Sequence, residues 1–200
     1  MIKQMLLLKH FKKINFEIIY KKGGYDNMKI SSNTLVLNEK GYIDGLIKNL
    51  IDAKIDEIIF LDGGSTDGTY EKLLMYEKIY PQIVLVKWNQ PISSQYRQGW
   101  REKDRRNLML GISTGDYILF IDADERIDIN IKKVVSLIDV DGIITYTYHF
   151  WRSNKTVRVN NINDMVWSNQ AQLRIIKRND LVKFNTVDKN GLHCYLQKKG

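Results

Sequence analysis

From Met28 to Asp128 the apolar residues fall into two alternating patterns. Short runs over residues 30–37, 57–61, 83–86 and 117–121 read as strands, and the continuous apolar run at 117–121 reads as one buried on both faces, the pattern of a parallel sheet. The first of these starts unusually polar, with Ser31, Ser32 and Asn33. Between the runs, apolar residues recur at helical spacing. Tyr42, Ile43, Leu46, Ile47 and Leu50 predict one helix. Tyr70, Leu73 and Leu74 predict a second, which Pro81 ends. Residues 96–112 predict a third, with Arg97, Arg101, Arg105 and Arg106 early in it. Strands alternating with helices imply right-handed βαβ units. The expected fold class is therefore α/β, a mostly parallel central sheet with helices on both faces.

After Asp128 the rhythm changes. Residues 131–138 predict a short helix, and residues 143–150 alternate Thr, Tyr and His with apolar positions, as a half-buried strand does. Residues 172–177 and 181–184 predict two more strands around a turn at Arg178-Asn179-Asp180, preceded by a polar loop over 160–170 that holds Trp167. Residues 1–27 allow a strand at 15–20 and a turn at Gly23-Gly24, or an amphipathic basic segment that touches a membrane surface or a partner; they read better as a basic appendage, with no role assigned to it. One domain over 28–200 follows from the absence of repeats and linkers.

Composition narrows this little: 44% hydrophobic and 27% charged residues are ordinary for a globular protein. Cys194 stands alone, which excludes an internal disulfide and a multi-cysteine metal site. A reducing compartment, the cytoplasm, is expected, with peripheral membrane contact compatible. No apolar run reaches membrane-spanning length, and no small-residue cleavage site follows the patch from Met5 to Leu8, so neither a transmembrane segment nor a secretory signal is expected. The net charge of +8 is uneven: +5 over residues 1–30, −4 over 31–150 and +7 over 151–200. The middle suits a cation site and the ends suit an anionic acceptor or surface, or simply aid solubility.

The candidate chemistry sits where apolar runs end in acids. Tyr117–Ile121 runs straight into Asp122-Ala123-Asp124-Glu125. In extended chain Asp122 and Asp124 point the same way, and two hard oxygens on one side suit Mg2+ or Mn2+. An equal reading is a polar loop in which Asp124 caps the next helix, with Glu125 only capping or solvating the turn. The second stretch is Asp62-Gly63-Gly64-Ser65-Thr66-Asp67-Gly68-Thr69. Its glycines allow tight turns and close approach of a ligand. Asp62 ends a buried strand, where open α/β sheets bind ligands, and can accept a hydrogen bond from a base N–H or a ribose hydroxyl. Asp67 or Thr66 is placed to cap the following helix. The loop lacks the Gly-Lys-Ser/Thr ending of a P-loop, the dinucleotide fingerprint and the spacing of an EF-hand.

In chain order, Asn38-Glu39, the 62–69 loop, Arg106-Asn107 before Gly111, and Gly115 to Glu125 resemble family 2 glycosyltransferases of the GT-A fold, over about residues 28–128. The resemblance implies a nucleotide-diphosphate sugar donor, a UDP-sugar first of all, transferred with inversion to an acceptor hydroxyl with the help of Mn2+ or Mg2+. It implies that Leu37, Asn38 and Glu39 line the nucleoside, that Asp62 contacts the base, and that Asp122 faces the ribose or the metal. Asp124 would bind the metal on the diphosphate, and Arg106 would add positive charge there; Arg101 reads as an exposed helix face. Residues 28–128 would then bind donor and metal, and 129–200 would face the acceptor. Family members supply the general base from that second part, some as Val-His-Glu after a late strand. This chain has Thr186-Val187-Asp188-Lys189, which leaves Asp188 as the candidate base, ahead of His193 and His149. Trp151 and Trp167 either stack on sugar rings or pack in the core.

The acceptor is open: a glycan, a lipid, a protein or a nucleic acid, with the basic ends favouring an anionic one; an oligomer is compatible with the chain. Two other readings compete. A non-catalytic nucleotide-sugar or nucleic-acid binding module is disfavoured by the intact Asp122 and Asp124. A nucleotidyltransferase is disfavoured because no Gly-rich signature with an adjacent Arg and Lys stands at the first strand end.

Overall fold

Ile58, Ile59, Phe60 and Leu61 are consecutive and all fully buried, which requires cover on both faces of their strand. The computed structural model shows how that cover is built; it describes residues 4–7, 28–88, 102–128, 130–137, 141–149, 171–179, 182–186 and 194–198. In chain order the elements are β1 (Gln4–Leu7), β2 (Ile30–Val36), α1 (Lys40–Asp52), β3 (Glu57–Asp62), α2 (Thr69–Ile79), β4 (Ile83–Lys87) and α3 (Glu102–Ile112). Then follow β5 (Tyr117–Phe120), β6 (Glu125–Arg126), α4 (Ile131–Leu137), β7 (Gly142–His149), β8 (Ala171–Lys177), β9 (Val182–Thr186) and β10 (Cys194–Lys198).

Eight strands form one sheet in the order β4-β3-β2-β5-β8-β7-β1-β6. The first four are mutually parallel. β8 runs antiparallel to β5 and to β7, and β7 antiparallel to β1. Side chains alternate across the sheet. Ile58 and Phe60 face one way and pack with Ile43, Leu46 and Leu50 of α1 and Leu73 of α2. Ile59 and Leu61 face the other way and pack with Met109 of α3. The expected α/β fold with a mostly parallel mixed sheet and helices on both faces is what forms. The spacing read for α1 holds as well: Ile43, Leu46, Ile47 and Leu50 are all buried. Each contributes about 1.5–3 kcal/mol of burial as an upper figure.

The polar start of β2 is buried too. The hydroxyl of Ser31 donates to the Glu57 carboxylate and accepts the Gly115 N–H at 2.8 Å. Asn33 Oδ1 accepts from Ser113 Oγ at 3.1 Å. These bonds tie the starts of β2, β3 and β5 together, so the polarity is used to align three parallel strands.

Two expectations need correction, and one strand is new. Gln4–Leu7 lies in the stretch 1–27 read as an appendage, yet it is a strand between β7 and β6. The backbone groups on the outer edge of β7 need partners, and this tetrapeptide supplies them. The other residues of 1–27 lie outside the described ones. β10, which pairs with β9 in a separate two-stranded sheet, was not expected. The run ending in acids is also shorter than read: β5 stops at Phe120, and Ala123-Asp124 form a turn. The start of the third helix before residue 102 and the 160–170 loop lie outside the described residues, as do Trp151 and Trp167. Among the described residues no helix is long and apolar enough to cross a membrane.

Gly115 is a point of close approach: a Cβ there would lie 2.5 Å from the Ser31 backbone nitrogen and 2.7 Å from its Oγ. Neither the strand nor its bonded hydroxyl can yield easily. Gly115→Ala should therefore destabilise the fold by about 1–3 kcal/mol. A urea unfolding midpoint unchanged from the wild type would contradict this packing.

Candidate functional site

β2 is followed in space by β3 and β4 on one side and by β5 on the other. The carboxyl ends of β2 and β5 thus flank a topological switch point, where open α/β sheets hold ligands. Three segments meet at this end of the sheet: residues 37–39 after β2, the 63–68 loop after β3, and the acidic turn after β5.

Asp62 closes β3 with a side chain that is 0% exposed. Its Oδ1 accepts the N–H groups of Gly64 at 2.9 Å and Ser65 at 3.0 Å. Its Oδ2 has no partner among the described residues. A buried acceptor of this kind costs about 1–3 kcal/mol unless a ligand donates to it. Gly64 and Gly68 have φ of +99° and +92°, which suits glycine and keeps the loop tight. Asn38, at φ +58°, locks the neighbouring segment to this loop. Its N–H donates to Ser65 Oγ at 2.9 Å, and its Oδ1 accepts the Thr66 N–H at 2.8 Å.

Asp67 stands one residue before Gly68, the N-cap of α2, and its carboxylate serves two helix starts. Its Oδ1 accepts the Thr69 N–H at 2.9 Å, and its Oδ2 accepts the Lys40 N–H at 3.1 Å. One carboxylate therefore serves the first turns of both α1 and α2. Burial is the largest single influence and raises this carboxyl, but the bonds from Thr69 and Lys40 together outweigh it, so it sits below its ordinary value.

The acidic turn is built around Glu125. The Glu125 N–H donates to the Asp122 carbonyl at 3.0 Å, which closes a four-residue turn. In return the Asp122 N–H donates to Glu125 Oε2 at 2.9 Å. Glu125 Oε1 accepts from the Arg174 guanidinium. The same guanidinium lies 3.6 Å from Asp122 Oδ2. Glu125, undecided in the sequence between capping and solvation, is 1% exposed and holds the turn from inside. Burial lifts its carboxyl above the ordinary range, Asp122 adds to this, and Arg174 opposes it. Because the chain turns here, the extended-chain argument for parallel Asp122 and Asp124 side chains does not apply; the turn itself presents them.

A second arginine grips the backbone of the turn. Arg126 donates to the carbonyls of Ala123 at 2.9 Å and Glu125 at 2.6 Å, and to the Tyr42 carbonyl of α1 at 3.0 Å. Asn49 of α1 adds a two-way pair with the Ile127 backbone, at 2.9 and 2.6 Å. The turn is thereby bolted to α1.

Acids from the two sides share one field. Burial raises the Glu39 carboxyl, and Asp124, Asp67 and Asp122 raise it further. Among the described residues no group of three or more His, Cys, Asp or Glu side chains could hold a metal ion unaided. Mg2+-type ions do not require such a cage, since they take one or two carboxylates and then substrate phosphates. Asp124 and Asp122 fit that donor set.

Of the residues expected at the site, Leu37, Asn38, Glu39, Asp62, Asp122 and Asp124 come to this one end of the sheet. Arg106 pairs with Glu102 at 2.6 Å and lies 5.6 Å over the Phe184 ring. Its neighbour Asn107 ties α3 to β9, exchanging bonds with the Phe184 backbone at 3.0 and 2.7 Å. His149 ends β7 opposite Gln4. Arg101, Asp188 and His193 lie outside the described residues. Sequence reading missed Arg174, Arg126, Gly45 and Asn49. The signal for Arg174 was a lone charge inside an apolar strand, which needs a buried acid as partner.

A family model described as Glycosyl transferase family 2 matches residues 34–195. No curated protein matches the chain. Among solved structures, one similar chain is the mannosyltransferase PcManGT from Pyrobaculum calidifontis in complex with GDP-Man and Mn2+, with 19% identity, 56% of this chain and 33% of that one covered, and a TM-score of 0.45. Another is S. aureus TarS 1–349, with 24% identity, 54% and 30% covered, and a TM-score of 0.41. A third is the glucosyl-3-phosphoglycerate synthase from Mycobacterium tuberculosis in complex with Mn2+, UDP and phosphoglyceric acid, with 25% identity, 48% and 33% covered, and a TM-score of 0.36. The chain spans about a third of the length of these structures.

Gly45 is the notch in α1 that admits Arg126: a Cβ there would lie 2.5 Å from the guanidinium. In a bare helix Gly→Ala stabilises by about 1 kcal/mol. Here the guanidinium is fixed by three carbonyls, so Gly45→Ala should destabilise by about 1–3 kcal/mol instead. Urea unfolding reads the sign directly, and a stabilised variant would show that Arg126 does not grip the turn.

Proposed function

The chain belongs to glycosyl transferase family 2, and from that membership we propose that it moves a sugar, with inversion, from a nucleotide-diphosphate sugar to an acceptor hydroxyl, with a divalent cation. The observation that carries this reading is the buried Asp62 carboxylate, with Oδ2 unpartnered among the described residues, at the same sheet end as the Asp122–Glu125 turn. β2 alone separates their strands, so the two lie about 10 Å apart.

In this reading Asp62 Oδ2 accepts a base N–H, such as N3–H of uracil. A UDP-sugar is the first expectation. The loops at 37–39 and 63–68, fastened to each other through Asn38, Ser65 and Thr66, fix the nucleoside between them. Asp122 faces the ribose side of the turn, and Asp124 with Asp122 would hold Mn2+ or Mg2+ against the diphosphate. When bound, the ion would act as a Lewis acid on the charge that the leaving diphosphate gains. Arg106, paired with Glu102 through Nε, is the candidate for added positive charge there.

Inversion requires the acceptor oxygen to bond to the anomeric carbon on the face opposite the departing diphosphate, as the acceptor proton passes to a general base. Asp188 is the candidate base, and residues 129–200 the acceptor-facing part. The +7 charge over 151–200 favours an anionic acceptor.

Thermal shift with UDP and GDP, each with and without Mn2+, tests the donor side. A nucleotide at 100 times its Kd adds about 2.7 kcal/mol of apparent stability. The shift should require Mn2+ and should shrink in Asp62→Asn, which keeps one oxygen for the loop and turns the other into a donor. Loss of one charged hydrogen bond of about 1.5–3 kcal/mol corresponds to roughly 10–150-fold weaker nucleotide binding. No shift with either nucleotide in the presence of Mn2+ would remove the basis of the reading. For the metal role, Asp124→Ala should lower turnover of the donor by about 100-fold or more. Unchanged donor turnover in that variant would rule the role out.

A further inference from the structure

Arg174 reaches the acidic turn from the neighbouring strand. It lies on β8, the strand that pairs antiparallel with β5, next to Ile175, which pairs with Leu119. Its side chain is buried. One guanidinium nitrogen donates to Glu125 Oε1, and another lies 3.6 Å from Asp122 Oδ2. The second oxygen of Glu125 accepts the Asp122 N–H at 2.9 Å. Asp122 is thus held twice: through its backbone by Glu125, and through its carboxylate by Arg174. The Asp122 side chain is nevertheless 52% exposed, so its carboxylate stays accessible while paired with Arg174.

We propose that Arg174 is a positioning residue for the site, which sets the direction of the Asp122 carboxylate and so raises the affinity of the turn for a divalent cation. This rests on the reading that the turn holds such an ion. A plainer role competes with it: Arg174 only offsets the burial of the Glu125 charge. The two roles predict opposite signs. A positive charge beside a cation site repels the cation, so removing a mere counter-charge should tighten cation binding. Removing a residue that aims a ligand should weaken it, and partners of this outer kind typically account for about 10–100-fold in metal affinity.

Arg174→Met alone leaves a buried carboxylate unpaired, so the informative comparison is Arg174→Met/Glu125→Gln against Glu125→Gln. In the double variant the side-chain amide introduced by Glu125→Gln still offers its oxygen to the Asp122 N–H, and no buried charge is left without a partner; in Glu125→Gln alone Arg174 keeps Asp122 as its carboxylate partner. The two variants then differ in the grip on the Asp122 side chain. Mn2+ is titrated into each protein with UDP present, and free Mn2+ is read from its EPR signal; urea unfolding without metal checks the fold. The double variant should bind Mn2+ about tenfold or more weakly than Glu125→Gln. Equal or tighter binding would overturn the proposal. Arg174→Lys supplies an independent check, because it keeps the charge but cannot fork to two carboxylates. It should also bind Mn2+ several-fold more weakly than the wild type, and wild-type affinity would overturn the positioning role. If the wild type with UDP takes up no Mn2+, the metal reading itself falls and this proposal falls with it.

Discussion

A carboxylate that is 1% exposed is tolerated only with close partners. Glu125 has two, the Asp122 N–H and the Arg174 guanidinium. That pair of contacts converts the end of β5 from an extended strand into a closed turn. It also joins three strands of the sheet, since Glu125 opens β6, Arg174 belongs to β8, and Asp122 follows β5. On the opposite side Arg126 threads past Gly45 to the Tyr42 carbonyl. The turn is therefore held from the sheet by one arginine and from α1 by another, and its acids are oriented before any ligand arrives. Preorganisation of this kind is what electrostatic stabilisation of a leaving group requires.

The other wall of the crevice uses the same economy of polar groups. Asp62 folds the 63–68 loop with one oxygen and keeps the other for a donor. Asp67 starts two helices at once. Between the walls, β2 carries a buried polar start that aligns β3 and β5 through Ser31, Glu57 and Gly115. The positions of the two walls are thus set by the sheet itself rather than by flexible connections.

Much of the first half of this arrangement was legible in the sequence, because it depends on local periodicity. The α1 spacing, the continuous run of β3 and the acid that ends it are all short-range patterns. The place of Asp67 beside the start of α2 was legible for the same reason. What escaped depends on contacts distant in sequence. Arg174 lies 49 residues from Glu125, and Asn49 lies 78 from Ile127. Nothing near Gly45 announces that its missing Cβ makes room for Arg126. Gln4–Leu7 looked like part of a basic appendage because its role, covering the edge of β7, is visible only once the sheet order is known. The turn at Ala123-Asp124 was misread as extended because an apolar run gives no sign of where pairing stops.

The central claim is that a nucleotide and a cation lie between Asp62 and the acidic turn. A crystal structure of the protein with UDP and Mn2+, with the ion located by its anomalous signal, measures this directly. Mn2+ should stand at inner-sphere distance from the Asp124 carboxylate and from diphosphate oxygens, with the uracil N–H on Asp62 Oδ2. Mn2+ away from the turn, or a nucleotide bound with Asp62 Oδ2 unengaged, would contradict the claim.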